Sequence, residues 1–184
     1  MPARATLLKV WDRPVRLLHW ALACSLLVAW TSTLGLGFLR AHEPSGYIAF
    51  GLVALRTAWG FCGGYYARFS QFVRGRHQVL AYARKVAIGR EPRYIGHNPL
   101  GGWMVLLLLF VVGALGVTGW LYTTDFFWGM AWLDTLHASL AWLLLLLVTL
   151  HVSGVLLASL RHRENLVSAM FSGHKPRPKP GDVD

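Results

Sequence analysis

The stretch LHASLAWLLLLLVTLHVSG, residues 136–154, is an almost unbroken apolar run, yet it carries two histidines, His137 and His151. A helix needs about twenty apolar residues to cross a hydrocarbon layer of roughly 30 Å, and this run, continued to residue 160, is long enough. An imidazole in such a run is costly unless a partner in the same layer engages it. The fourteen-residue spacing is nearly four helical turns, so both rings fall within roughly 40° of one face, about 21 Å apart along the axis. One metal ion cannot bridge that distance. It suits two sites, one towards each side of a membrane.

Three more such runs lie upstream, at about residues 15–35, 45–63 and 101–122. Together with 136–160 they predict an all-α integral membrane protein, a four-transmembrane-helix bundle. Barrel strands would be short and alternating, and these runs are neither. The formal net charge of +10 has a matching distribution. Sixteen of the eighteen Lys and Arg residues precede the first span, separate the second from the third, or follow the fourth. The opposite side holds Arg40, Glu43, Asp125 and Asp134. Positive charge marks the cytoplasmic side, so both termini are expected there, with anionic membrane lipid rather than nucleic acid as the contact. Trp11, Trp59 and Trp103 fall near the expected inner boundary, and Trp128 and Trp132 near the outer one, where aromatic rings are favoured.

Local signals refine this layout. Asp12 suits an N-cap and Pro14 the first turn of the first helix, and that span reads as part of the mature chain rather than a cleaved leader. Cys24 and Cys62 form no CxxC pair and read as buried free thiols. Residues 1–172 are expected to form one membrane domain. Within it, residues 67–90 mix Phe, Val and Leu with cations, as an amphipathic segment lying in the interface does. Residues 173–184 are Pro-rich and charged and read as a disordered tail.

The remaining histidines sort by depth. His19 lies in the early turns of the first span and is an inner residue. His42 follows the outer turn and is an outer one. The topology pairs His19 with His151 and His42 with His137. Two imidazoles on facing helices in apolar surroundings fit a haem, whose macrocycle is apolar and whose iron takes two axial nitrogens; zinc would want four protein ligands. This points to two b haems, with iron ligands His19, His151, His42 and His137. Two histidines per iron leave no open position, which suits electron transfer. Arg56, fourteen residues below His42 on the same face, is either an inner propionate partner or a snorkelling cation. His97 and Asn98 open the third span near the inner pair. His97 is either a quinone contact or a loop cap or interfacial residue, and Asn98 beside it is a second quinone candidate. His77, His162 and His174 read as surface residues.

Four segments carry a family resemblance: VWDRPVRLLHW (10–20), HEPSGYIAFGLVALRTAWGF (42–61), GHNPLGGWMV (96–105) and LHASLAWLLLLLVTLHVSGVLLASLRHRENLV (136–167). Across about residues 8–172 the chain resembles the bacterial cytochrome b561 family, in the branch similar to the cytochrome b subunits of nickel-dependent hydrogenases. The resemblance implies a dihaem four-helix bundle in the bacterial inner membrane, and its ligand positions fall on His19, His42, His137 and His151. The triplet HAS at 137–139 departs from the His-Glu common in relatives, which leaves ligation intact but removes an outer carboxylate.

The expected function is transmembrane electron transfer between the quinone pool, ubiquinone or menaquinone, and a periplasmic partner. That partner would be a c-type cytochrome, a dehydrogenase or a hydrogenase subunit. The alternative is a stand-alone superoxide:quinone oxidoreductase. Its anionic substrate would want a cationic outer face, and the outer side offers Arg40 against three acids.

Overall fold

The computed structural model describes residues 7–35 and 39–184. Helix α1, Arg13–Ser32, starts as its sequence predicts. The Asp12 Oδ1 accepts from the Val15 backbone N–H at 2.9 Å, capping a donor that the first turn leaves over. Helix α2, His42–Cys62, starts at the histidine itself, with Pro44 in its first turn. Two short helices follow, α3, Phe69–Phe72, and α4, Arg76–Ala87. The segment 67–90 thus comprises two helices with a gap over residues 73–75, where Gly75 caps α4. Helix α5, Pro99–Tyr122, is capped by Asn98, whose Oδ1 accepts from the Gly101 N–H at 2.8 Å. Helix α6, Ala131–His162, begins five residues before the predicted span, and α7 is Leu166–Ser172.

Helices α1, α5 and α6 are each long and apolar enough to cross a bilayer. At 21 residues α2 is as long as α1, but His42, Glu43 and Arg56 dilute its apolarity. Large apolar side chains such as Leu17, Phe110, Trp142 and Leu160 face outward, as they do where the surrounding solvent is lipid. Cys24 and Cys62 both lie on the exterior rather than in the protein core. The expectation of burial came from soluble proteins, where an apolar side chain avoids lipid-free water by packing inside.

The chain divides into two compact units. The first contains the N-terminal residues through Arg16, Trp59–Leu106 and Leu150–Asp184; the second contains Leu17–Ala58 and Leu107–Thr149. In the first unit, strands β1, Leu7–Lys9, and β2, His174–Pro176, pair antiparallel, with Leu8 opposite Lys175. Beneath them Val10, Trp11, Val15, Ala67, Ile95 and Ala169 form a buried cluster. Asp12 serves this unit twice, because its Oδ2 also accepts from Trp59 Nε1 at 3.0 Å and the Gly64 N–H at 3.3 Å.

The tail therefore departs from the predicted disorder. Gly173 ends α7 in the left-handed region at φ +83°, and a Cβ there would stand 2.7 Å from the Trp11 carbonyl oxygen, so the turn into β2 requires glycine. Further on, the Val183 N–H donates to Arg93 O and Val183 O accepts from the Ile95 N–H, both at 2.9 Å. The tail's charges find buried opposites. Arg93 pairs with Glu164 at 2.8 Å and Asp182 at 2.5 Å, and Lys175 pairs with Glu164 at 3.2 Å. Composition signals disorder when a segment has too little apolar surface to offset its entropy; here long-range ion pairs and strand hydrogen bonds supply the difference.

Burial pushes the Asp182 carboxyl up, but the Lys179 backbone N–H and the Arg93 guanidinium outweigh it and hold the group below its ordinary value. A carboxyl depressed in the folded state stabilises fully above its unfolded pKa of about 3.9, and that stabilisation is lost as pH falls through the lower folded value. Amide exchange at Val183 should therefore quicken below about pH 4 while the interior of α5 stays protected. Exchange at Val183 independent of pH, once corrected for intrinsic rates, would contradict this.

Candidate haem-binding site

In the second unit, the structure brings two of the four predicted histidines together. His42 is the first residue of α2 and His137 lies in the second turn of α6. Their ring centroids are 6.1 Å apart, with the planes at 71°. Two metal–imidazole bonds of about 2 Å each, extended to the ring centres, give a separation of roughly 6 Å. The spacing thus leaves room for one metal ion between the rings.

The hydrogen bonds fix which ring nitrogen is available. The His42 Nδ1 lies 2.9 Å from the Ala29 carbonyl oxygen of α1. A carbonyl only accepts, so Nδ1 carries the proton and Nε2 keeps its lone pair. Ser32, fully buried, donates to the same carbonyl at 2.7 Å and sits 3.4 Å from His42 Nδ1. The His137 Nδ1 lies 2.8 Å from Thr118 Oγ1 of α5. Thr118 is buried, and its one hydroxyl proton goes back along α5 to Ala114 O at 2.9 Å, shared with Leu115 O at 3.1 Å. Its oxygen therefore accepts from His137, and His137 also leaves Nε2 free to ligate. Metal-binding histidines use this arrangement, the second nitrogen donating to an oxygen that sets tautomer and ring orientation.

Space beside the pair is kept small-sided. Gly119, next to Thr118, faces His137, and a Cβ there would lie 3.4 Å from His137 Cε1. Among the described residues no group of three or more His, Cys, Asp or Glu side chains is placed to hold a metal ion. Two facing imidazoles without further protein ligands fit an iron whose other four positions come from a macrocycle.

The other predicted residues are placed as follows. His19, on α1 in the second unit, is half-buried with its ring edge-on to Trp20 at 5.0 Å. Arg56 of α2 is buried in the same unit, only 8% exposed. His151, on α6, is half-buried in the first unit. His97 is wedged between two rings of the first unit, Phe72 at 4.4 Å and Trp11 at 4.8 Å. The Asn98 side-chain oxygen serves the helix cap, which leaves its amide N–H groups for other partners. His77 and His174 are exposed and His162 half-exposed, in line with their reading as surface residues.

Thr118 was not among the residues read from the sequence. A signal existed. It is the one aliphatic hydroxyl in the run GALGVTGWLY, four residues before α5 ends, and His137 stands six residues after α6 begins. Similar distances from one turn put two antiparallel residues at similar depth. The Ala29 carbonyl carried no such signal, since every residue has one.

Two imidazoles at the spacing of one metal ion, in a helical chain with membrane-length apolar helices, are features of the cytochromes b. The comparisons agree: the model of the prokaryotic cytochrome b561 family matches residues 10–173, and the chain belongs to that family. It is therefore a haem b protein of electron transport in a bacterial membrane. It is 28% identical to the probable Ni/Fe-hydrogenase B-type cytochrome subunit of Azotobacter vinelandii, over 92% of this chain and 89% of that one. The corresponding subunits of Rhodobacter capsulatus and Cupriavidus necator are 26% and 27% identical, over 94% and 90% of this chain and 82% and 86% of theirs. No solved structure matches.

Proposed function

We propose that the chain carries electrons across the bacterial inner membrane through two bis-histidine b haems, between the quinone pool and a periplasmic redox partner. The observation that carries this reading is the pair His42 and His137, at centroid spacing for one iron and with both Nδ1 atoms donating to oxygen. His19 and His151 hold the second haem, towards the cytoplasm. Bound haem supplies a one-electron iron couple. Helix α2 is the fourth span, its 21 residues giving about 31 Å of length, enough for the hydrocarbon layer. Arg56, buried along α2, offers a cation to an inner propionate. Both termini lie in the cytoplasm.

The protein's own contribution is to set the electronic character of its ligands. Donation from His137 Nδ1 to Thr118 gives the imidazole partial negative character and favours the oxidised metal. The acceptor is a hydroxyl, where His42 has a carbonyl. Thr118→Val keeps the shape and removes that acceptor. Its expected effect is a higher midpoint potential for one haem of the two, with haem content unchanged and recovery in Thr118→Ser. A redox titration showing the same two potentials in wild type and Thr118→Val would contradict the assignment.

The relatives' names point to a hydrogenase as the type of partner, and a periplasmic dehydrogenase or c-type cytochrome has equivalent chemistry. Quinone is placed at the inner end, beside His97 and Asn98, where His97 can hand protons to a ring oxygen. The test is a reduced-minus-oxidised spectrum after quinol addition. His97→Phe preserves the ring packing between Trp11 and Phe72 while removing the ring nitrogens. It should slow quinol-driven reduction about tenfold, within the usual range for losing a general acid or base, and leave both haem spectra unchanged. Unaltered kinetics would move the quinone elsewhere.

A further inference from the structure

The first unit contains a second built feature that electron transfer does not use. A cleft of about 390 Å³ lies between α4 and residues 92–94, lined by Arg74, Gln78, Tyr82, Lys85, Tyr94 and Val183. Gln78, Tyr82 and Lys85 stand at i, i+4 and i+7 of α4, so one helix face forms the wall. Tyr94 forms the opposite corner and meets Tyr82 of the wall edge-on at 5.4 Å. Arg74 is fixed at the cleft by its own carbonyl, which accepts from Trp103 Nε1 at 2.9 Å.

The electrostatics of the cleft are one-sided. Each acid nearby is committed elsewhere: Glu91 to Arg161 at 2.8 Å, Glu164 to Arg93 and Lys175, Asp182 to Arg93, and Asp184 to the Tyr66 hydroxyl. Among the described residues no carboxylate lies within 4.0 Å of the Arg74 or Lys85 charge. Burial, followed by the nearby Glu91 and Tyr94, raises Tyr82 to about 12, so its hydroxyl stays a donor at neutral pH. Two cations, a phenol and an amide line the cleft without a carboxylate paired to either cation. A phosphate ester offers the matching set of acceptor oxygens.

The opposite face of α4 identifies the source of that phosphate. Leu80, pointing away from the cleft, is 58% exposed, and Ile88 just past the helix is 66% exposed. On that face Leu80 is flanked one turn either way by Arg76 and Arg84, and exposed apolar side chains interleaved with cations that snorkel suit the membrane interface, at headgroup depth. The cleft's volume, about a dozen water molecules' worth, exceeds what a bare anion fills. We propose that this cleft seats the phosphate and glycerol of an anionic phospholipid, held by Arg74 and Lys85.

The test uses the full chain, stripped of lipid in a nonionic detergent. Dihexanoyl phosphatidylglycerol, dihexanoyl phosphatidylcholine and inorganic phosphate are titrated separately by calorimetry. The proposal expects one phosphatidylglycerol per chain, bound at least roughly tenfold more weakly by R74Q/K85Q, as for loss of charge-assisted hydrogen bonds. The control R76Q/R84Q removes equal charge from α4 outside the cleft and should bind as wild type does. Lys85 is exposed, so Lys85→Glu alone tests the site without disturbing packing and should lose binding too. Equal weakening in the control would mean diffuse attraction to a basic surface and would overturn the site. Phosphatidylcholine or inorganic phosphate binding as tightly as phosphatidylglycerol would overturn the anionic-lipid assignment, as would no binding to wild type.

Discussion

Replacing His137 with alanine should cut the haem recovered per chain by about half, through loss of one of two paired sites. The side chain cannot be substituted by its neighbours. Thr118 is committed to α5 carbonyls, and no third His, Cys, Asp or Glu joins the pair among the described residues. His42 would then face an apolar gap with its Nε2 lone pair unmatched. His151→Ala should remove the other half, because the two histidines are fourteen residues apart on one helix and cannot serve one iron. A pyridine haemochrome assay normalised to protein measures both, with far-ultraviolet circular dichroism reporting that the helices remain. Full haem in His137→Ala would contradict the ligand assignment. A helical but haem-free His137→Ala would contradict the independence of the two sites.

The second large effect is expected at the buried ion cluster. Glu164 lies between Arg93 and Lys175, with its side chain 5% exposed. Among the described residues, Glu164→Ala leaves Lys175 hydrogen-bonded to the backbone carbonyls of Tyr94 and Ile95 alone, at 3.2 and 3.1 Å. Breaking a buried ion pair from one side costs about 3–5 kcal/mol. Asp182 still compensates Arg93, which puts the expectation near the lower end, about 3 kcal/mol. The loss should be local. Exchange at β1, β2 and Val183 should accelerate by two orders of magnitude or so, following the roughly tenfold change per 1.4 kcal/mol. The second unit and its histidine pair should be unaffected. A Glu164→Ala variant whose tail remains as protected as in wild type would show that strand pairing alone holds it.

What the sequence made legible was set by period and length. Apolar runs of membrane-spanning length gave the positions of α1, α5 and α6 within a few residues, and Asp12 with Pro14 marked the start of α1. The 3.6-residue period, combined with a chain that reverses direction at each turn, assigned depths to the histidines and paired His42 with His137. Side chains far apart in sequence and joined through backbone groups were not legible. Ala29 contributes a carbonyl, and Lys175 meets Glu164 through a reversal at Gly173 that composition does not announce. The Asn98 reading was incomplete for a related reason. Asn before Pro at a helix start is a capping signal, and the structure spends its side-chain oxygen there. Nor did hydropathy distinguish the exterior of a membrane protein from its core, so the cysteines were expected inside.

The most direct test of the central claim is the ratio of haem b to protein in the purified wild-type chain, by pyridine haemochrome against quantitative amino-acid analysis. The account predicts two haems per chain, from the pairs His42 with His137 and His19 with His151. A ratio of one in fully loaded, monodisperse protein would contradict it.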